Sequence, residues 1–194
     1  MLLDSKAAYS RDQAAFKSLC GVAKHSRCMQ VAHLERAGAA ALKCRVCARE
    51  GSGHEQLAYA CLDSETLIEH YAVETYALTG EGRATLPDGK TCRFRDHRWD
   101  ALTLSPSSLL VEVHGEQHTS KLDTRARSRD SSLLARHEQD RLLAEAARAA
   151  GFSVLWLHAD ASVPEAQLRA RWAARLKQAV VHVRAGGAPA LFAA

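Results

Sequence analysis

The sequence predicts an α/β protein in which a mixed sheet is flanked by helices and preceded by a small helical unit with a possible zinc site. Three strand-like segments follow one another near residues 67–78, 94–105 and 109–114, and a helix, a strand and a helix come after them. Strands in succession followed by alternating helices and strands are typical of a mixed sheet covered by helices. We therefore expect two units, residues 1–50 and residues 51–194.

The first unit is predicted to be helical because residues 5–42 are rich in alanine. The motif CRVC, from Cys44 to Cys47, follows, and the next stretch, REGSG, indicates a turn. Ser52 and Glu55 have the spacing of a capping box, which predicts that a helix begins there. A turn carrying two cysteines is therefore expected just before this helix.

The middle of the chain is predicted to be mainly extended. The segments LIEHYAVETYAL, FRDHRWDALTLS and LLVEVH are interpreted as three strands. The Pro-Asp-Gly sequence between the first two favours a hairpin-type turn. Residues 119–132 are polar and have no apolar periodicity, which predicts a loop.

The last part of the chain is predicted to alternate between helix and strand. Apolar residues on one side of residues 133–150 indicate a helix, and Gly151 follows as its stop. The continuous apolar run at residues 152–159 is typical of a strand buried on both faces. Pro164 and Glu165 then begin a final amphipathic helix.

The composition is that of an ordinary globular protein. The 194 residues are 47% hydrophobic and 25% charged, and the net charge of +4 mildly favours an anionic partner. No apolar run approaches the ~18 residues of a membrane-spanning helix, and the first residues lack the long apolar stretch of a secretory signal. The six cysteines are therefore expected in a reducing intracellular compartment, where they ligate metals or pack in cores.

The run LLVEVHGEQH, residues 109–118, places ionisable groups in an otherwise apolar strand. Because side chains alternate along a strand, Glu112 and His114 share the face opposite the valines. A buried carboxylate and imidazole are costly unless they are paired or bind a metal. A hydrogen-bonded Glu–His pair would explain them, but Asp100 and His118 could join them to form a site for a hard divalent cation and a general base.

The succession RWDALTL, LLVEVHGEQH and HEQDRLLAEAARAAGFSVLWL resembles the core of the PD-(D/E)XK nuclease superfamily, most nearly its very-short-patch-repair and EDxHD homing endonuclease branches. The matching positions are a strand aspartate, Asp100, a histidine–glycine pair, His114 and Gly115, a downstream histidine, His118, an acidic residue in the first turn of its helix, Asp140, and a Gly-aromatic-x-Val strand from Gly151. The resemblance covers residues 52–159. It implies a restriction-endonuclease-like fold for residues 51–194.

The resemblance also implies a metal-dependent reaction. A Mg²⁺ or Mn²⁺ ion would be held by Asp100 and the carbonyl of Val113, as in the repair branch. His114 stands where most of the superfamily has a lysine, and its unperturbed pKa of ~6.5 suits it to accept a proton from the attacking water. His118 would orient the phosphate or assist the leaving group, and Glu112 would complete the metal contacts.

The family's glutamate on the helix before the strands corresponds to Glu55. The capping-box pairing with Ser52 explains Glu55 equally well, and Glu74 is a competing candidate that a solvated strand position would also explain. Asp140 is explained equally by the preference of acidic residues for helix N-termini.

Two groups of basic residues are candidates for binding the phosphates of a nucleic acid, DNA more than RNA. They are Arg125, Arg127 and Arg129 in the polar stretch, and Arg169, Arg171, Arg175 and Lys177 on the last helix. A solvated helix face is the alternative explanation for the second group.

The cysteines suggest a structural zinc site in the first unit. Cys44 and Cys47 form one half of such a site, and Cys28 and His33 are the expected other half, with Cys20 and His25 as alternatives. Unligated core thiols would also explain these residues. Cys61 lies on the apolar side of its helix and is predicted to be a core residue.

The sequence thus favours a metal-dependent endonuclease that hydrolyses DNA phosphodiester bonds. A second hypothesis is a nuclease-like fold without activity that binds nucleic acid or serves as a structural subunit of a larger assembly, such as a ribonucleoprotein, since one fold hosts both roles. A zinc-bearing protein-interaction module is a third. Cleavage of plasmid DNA in the presence of Mg²⁺ or Mn²⁺ separates the first from the others.

Overall fold

A computed structural model describes residues 13–17, 22, 24–30, 44–76, 83–85, 91–93, 97–105, 107–115 and 129–194. The strands are β1 Gln13–Lys17, β2 His25–Gln30, β3 His70–Tyr76, β4 Arg83–Thr85, β5 Thr91–Arg93, β6 Arg98–Ser105, β7 Ser107–His114, β8 Ser153–His158 and β9 Leu191–Ala193. The helices within these ranges are α1 Gly53–Ser64, α2 Arg129–Ala149 and α3 Glu165–Arg184. The predicted α/β class and mixed sheet are confirmed.

Seven strands form one mixed sheet in the order β1-β2-β3-β6-β7-β8-β9. The pairs β1–β2, β3–β6 and β6–β7 are antiparallel, whereas β2–β3, β7–β8 and β8–β9 are parallel. Strands β4 and β5 pair antiparallel in a separate two-stranded sheet, and the Pro-Asp-Gly sequence between them, predicted to be a turn, lies outside the described residues.

Two apolar cores cover the faces of the sheet. One contains Leu57 and Leu62 of α1, Trp172 and Leu176 of α3, and Val111 and Leu155 of the central strands. The other contains Leu143 and Ala147 of α2 together with Leu102, Leu110 and Val154. Consecutive residues of β8 enter opposite cores, which confirms that its apolar run is a strand buried on both faces.

The expected helical character of residues 5–42 is wrong over Gln13–Lys17 and His25–Gln30, which are strands. Alanine-rich composition favours a helix, but β2 pairs with both β1 and β3, and sheet pairing overrides a local propensity. The first strands thus extend the sheet of the α/β domain, while the division into units 1–50 and 51–194 stays a prediction.

The helix α2 begins earlier than the sequence indicates, at Arg129 and within the stretch expected to be a loop. Asp140 consequently lies in the middle of α2, and its expected place in the first helical turn is wrong. The polar residues at 129–132 obscure this start because they lack an apolar periodicity. Among the described residues, no helix has the length and apolar character needed to cross a membrane.

Candidate functional site

The acidic part of the site forms where β6 and β7 diverge. Ala101 and Val111 are the last paired residues at this end of the two strands. Beyond them the carboxylate of Asp100 accepts a hydrogen bond from β7. The backbone N–H of Val113 donates a hydrogen bond of 2.7 Å to Asp100 Oδ2. A side chain therefore replaces a backbone acceptor here, which fixes Asp100 at the end of the sheet pairing.

Two further carboxylates, Glu55 and Glu112, approach Asp100. Burial raises the pKa of Asp100 to about 8, with the negative charge of Glu112 as the next cause. The N–H of Val113 opposes the rise, while the charge of Glu55 and a side-chain hydrogen bond with it add to the rise. The raised pKa favours a protonated carboxyl group in this cluster when no cation offsets the repulsion.

Glu55 belongs both to the cap at the start of α1 and to the acidic cluster with Asp100. Its Oε2 accepts a hydrogen bond from the backbone N–H of Ser52, and Ser52 Oγ accepts one of 3.1 Å from the N–H of Glu55. This is the predicted capping box at the start of α1. The capping box is thus confirmed, and the charge of Glu55 also contributes to raising the pKa of Asp100, after burial and the charge of Glu112.

His97 is a neighbour of the acidic cluster that the sequence analysis missed. Its Nε2 lies 3.5 Å from Glu112 Oε2, and its ring packs edge-on against Trp99 with the ring centroids 4.7 Å apart. Glu112 Oε2 is buried and, apart from this ion-pair contact, has no hydrogen-bond partner among the described residues. The position of His97 in HRWD, just before Asp100, is the signal that could have revealed it.

His114 is buried at the end of β7, next to the end of β8. Its ring centroid lies 5.0 Å from that of His158 and 5.1 Å from that of Trp156. The parallel register pairs His114 with His158 directly, and the backbone N–H of Ala159 donates to the carbonyl of His114. His158 was not predicted as a site residue. Its position at the end of a buried strand, next to the polar end of β7, could have indicated that it joins His114.

The remaining candidates are dispersed. Arg169, Arg171 and Lys177 are exposed on α3, and Arg175 is half-buried. Arg171 Nη2 donates to the carbonyl of His158 at 3.4 Å, and Arg175 Nη1 donates to Gln178 Oε1 at 2.8 Å. His33, His118, Arg125 and Arg127 lie outside the described residues, as do the side chains of Cys28, Glu74 and Arg129.

A second constellation, with ligands for a soft metal, lies at the start of β2. His25 Nδ1 is 3.3 Å from Cys44 Sγ and 3.5 Å from Cys47 Sγ, and the ligand atoms of all three residues lie within 4.8 Å of one another. Such a group could bind a metal such as zinc. The cysteine half of the predicted zinc site is thus in place, with His25, one of the alternatives, beside it.

The other nitrogen of His25 contacts a carboxylate. His25 Nε2 lies 2.8 Å from Asp63 Oδ1, which also accepts a hydrogen bond of 3.0 Å from the hydroxyl of Tyr71. Burial alone would raise the pKa of Asp63, but the hydrogen bonds and charges of its neighbours, His25 first among them, outweigh it and lower that pKa. Asp63 is therefore held as a carboxylate.

Cys61, expected in the core, is buried between α1 and α3, and its Sγ donates to the carbonyl of Arg169 at 3.8 Å. Burial raises the pKa of this thiol, which leaves it protonated and unsuited to bind a metal. The prediction for Cys61 is confirmed.

The carboxylates of Glu55, Asp100 and Glu112 form a more open group than the ligand atoms of His25, Cys44 and Cys47. In the described part of the chain, only the His25 group meets the condition that every ligand atom lies within 4.8 Å of the others. No family model, curated protein or solved structure matches the chain. The two constellations are therefore the features of the described residues that bear on function.

Proposed function

We propose that the protein is a divalent-metal-dependent endonuclease that hydrolyses phosphodiester bonds of DNA. The observation that carries this proposal is the convergence of Glu55, Asp100 and Glu112, which come from α1, β6 and β7 and are far apart in the sequence. A fold gains no stability from partly buried, mutually repelling carboxylates, so their association favours a site for a cation. The resemblance of residues 52–159 to PD-(D/E)XK nucleases adds to this support.

The residues fit a hard cation such as Mg²⁺ or Mn²⁺. Carboxylate oxygens are the ligands that such ions prefer, and the buried Oε2 of Glu112 has an unused acceptor capacity. Asp100 and Glu112 would hold the ion, with Glu55 beside them, and the carbonyl of Val113 is proposed as a further ligand. When bound, the ion would supply charge stabilisation at the phosphate and lower the pKa of a water.

The protein's own groups would move the protons of the reaction. We assign to His114 the role of general base, in which a ring nitrogen accepts the proton of the attacking water. The ring of His158, packed against that of His114, would restrict its orientation. His97 is a competing base because its Nε2 lies near Glu112.

The DNA would contact the basic side of α3. Arg171 Nη2 donates to the carbonyl of His158 at the carboxyl end of β8, so its charge lies beside the histidine pair. Arg169 and Lys177 are exposed, as phosphate contacts require. The fold class alone would fit many partners, and this proposal rests on the charges.

A second candidate function is a nuclease-like protein without activity that binds nucleic acid within a larger assembly. One observation favours it: the carboxylates of Glu55, Asp100 and Glu112 do not all approach one another within 4.8 Å. A site without catalytic activity does not require its carboxylates to come close enough to coordinate one ion.

Incubation of the protein with supercoiled plasmid, with and without Mg²⁺ or Mn²⁺, tests the proposal. We expect metal-dependent nicking that Asp100→Asn abolishes and that Asp160→Asn preserves. Asp160 is a matched control because it is exposed and its carboxylate caps the turn at Ser162. Plasmid that stays intact but is retarded on a gel would overturn the endonuclease proposal and support the second function.

A further inference from the structure

We infer that His25, Cys44 and Cys47 bind a structural zinc ion, and that Asp63 and Tyr71 are positioning residues that act on this ion through the His25 ring. This inference is independent of the endonuclease proposal. It concerns a site on the β2 side of the sheet and would hold equally for an inactive protein.

The distances between the ligand atoms fit three of the four positions of a tetrahedral zinc site. Bonds of about 2.3 Å to sulfur and about 2.0–2.1 Å to nitrogen place the two atoms about 3.5 Å apart at a tetrahedral angle. Nδ1 of His25 lies 3.3 Å from Cys44 Sγ and 3.5 Å from Cys47 Sγ. Two thiolates and a neutral imidazole together neutralise the charge of Zn²⁺. Thiolates are soft ligands, so the group favours zinc over Mg²⁺.

The turn at residues 44–50 has the form that presents two sulfur atoms to one ion. The backbone N–H of Cys47 donates to Cys44 Sγ at 3.4 Å, and such a bond supports a thiolate. The N–H of Ala48 donates to the carbonyl of Cys44, and Arg49 adopts a positive φ of 53°. The turn is therefore closed by its own hydrogen bonds and points both sulfur atoms towards His25.

Asp63 determines which nitrogen of His25 is available to the ion. Its Oδ1 lies 2.8 Å from Nε2, so Nε2 carries the proton and Nδ1 keeps its lone pair for the metal. Tyr71 donates to the same oxygen at 3.0 Å, and Lys24 Nζ donates to the carbonyl of Asp63 at 2.8 Å. A carboxylate behind a metal-binding histidine is a common arrangement that orients the ring.

The ion would hold the N-terminal strands to the rest of the sheet. His25 starts β2, whose register with β3 runs through the three pairs His25–Tyr71, Ser26–Ala72 and Arg27–Val73. The zinc ligands and Asp63 tie this short pairing to the turn before α1 and to the end of α1. Because zinc binding contributes to folding, its loss would release β2 before the central strands.

Cobalt substitution of the purified chain tests the ligands. We expect one Co²⁺ with a tetrahedral spectrum and a sulfur-to-metal charge-transfer band, and Cys47→Ser should weaken that band by one thiolate. Cys47 is exposed, so the change leaves the core intact. Cys61→Ala is the control and should keep the full band. An octahedral spectrum without charge transfer in the wild type, or a band unchanged by Cys47→Ser, would overturn the inference.

Competition with a chromophoric zinc chelator tests the positioning residues. Asp63→Ala should weaken zinc binding by about 10–100-fold, Asp63→Asn by less because its amide oxygen still accepts from Nε2, and Tyr71→Phe least. Asp160→Asn should have no effect. Equal affinities for the wild type and Asp63→Ala, with the cobalt band intact, would show that Asp63 only forms an ion pair with His25.

Discussion

The carboxyl groups of Asp100, near the start of β6, and Glu55, in the first turn of α1, lie close enough to interact electrostatically. Glu112 adds a third carboxylate from β7. Such an arrangement is unfavourable without a proton or a cation to offset the repulsion. The raised pKa of Asp100 favours a proton there, and we propose that a divalent cation takes this role in the active protein.

Without added divalent cations, the free energy of unfolding of the protein should therefore depend on pH through Asp100. Its pKa is about 8 in the folded protein and 3.8 as the ordinary value, so the folded state binds the additional proton between these limits. The free energy of unfolding should fall as pH rises through this window, by on the order of a few kcal/mol. Asp100→Asn should remove this fall and stabilise the protein above about pH 8.

Urea denaturation of the zinc-loaded protein at about pH 5 and about pH 9 measures this effect. The difference between the wild type and Asp100→Asn isolates Asp100 from the other titrating groups. Equal pH dependences for the two proteins would show that Asp100 titrates as in an unfolded chain.

The general base can be assigned by comparing histidines. His114→Ala should lower the rate of DNA cleavage by about 10²–10⁴-fold with little change in DNA affinity. His137→Ala, an exposed change on α2, is the control and should keep the full rate. If His97→Ala lowers the rate and His114→Ala does not, the base is His97 at Glu112.

The role of α3 in binding DNA can be tested through the salt dependence of affinity. Lys177→Ala should weaken binding to every DNA sequence and reduce the slope of log K against log salt by about 1. Arg141→Ala removes a cation from α2 that is already paired with Glu138 and Glu145, so it should leave the slope unchanged. Identical slopes for the two variants would place the DNA elsewhere.

The strand β8, which is buried on both faces, should contribute strongly to the stability of the fold. Leu155→Ala removes a fully buried side chain and should cost about 2–5 kcal/mol in the free energy of unfolding. Leu191→Ala, on the edge strand β9 with 40% of its surface exposed, should cost less than about 1 kcal/mol. Similar losses in thermal or urea denaturation would contradict the packing described for β8.

The sequence was informative where a local pattern and the tertiary structure agree. The capping box at Ser52 and Glu55, the buried strand β8 and the core position of Cys61 follow from short-range spacing or continuous apolar character. The strands β1 and β2 could not be predicted in this way, because pairing with β3 overrides their alanine-rich helical propensity.

The candidate sites were predicted in part. Asp100 and Glu112 come together because antiparallel pairing of β6 and β7 brings their strand ends side by side, which alternation and order along the chain already suggest. His97 was missed although it precedes Asp100 in HRWD, and His25 was only an alternative ligand, because the contacts with Glu112 and with Cys44 that select them are tertiary. Long-range pairing therefore determines which histidines join each site.

Binding of Mn²⁺ to the zinc-loaded protein, measured by calorimetry or electron paramagnetic resonance, tests most directly whether the three carboxylates hold a cation. We predict one Mn²⁺ site that Asp100→Asn and Glu112→Gln each abolish or weaken by more than tenfold, whereas Asp160→Asn leaves it unchanged. Mn²⁺ binding of equal strength in the wild type and Asp100→Asn, or none in the wild type, would contradict the account.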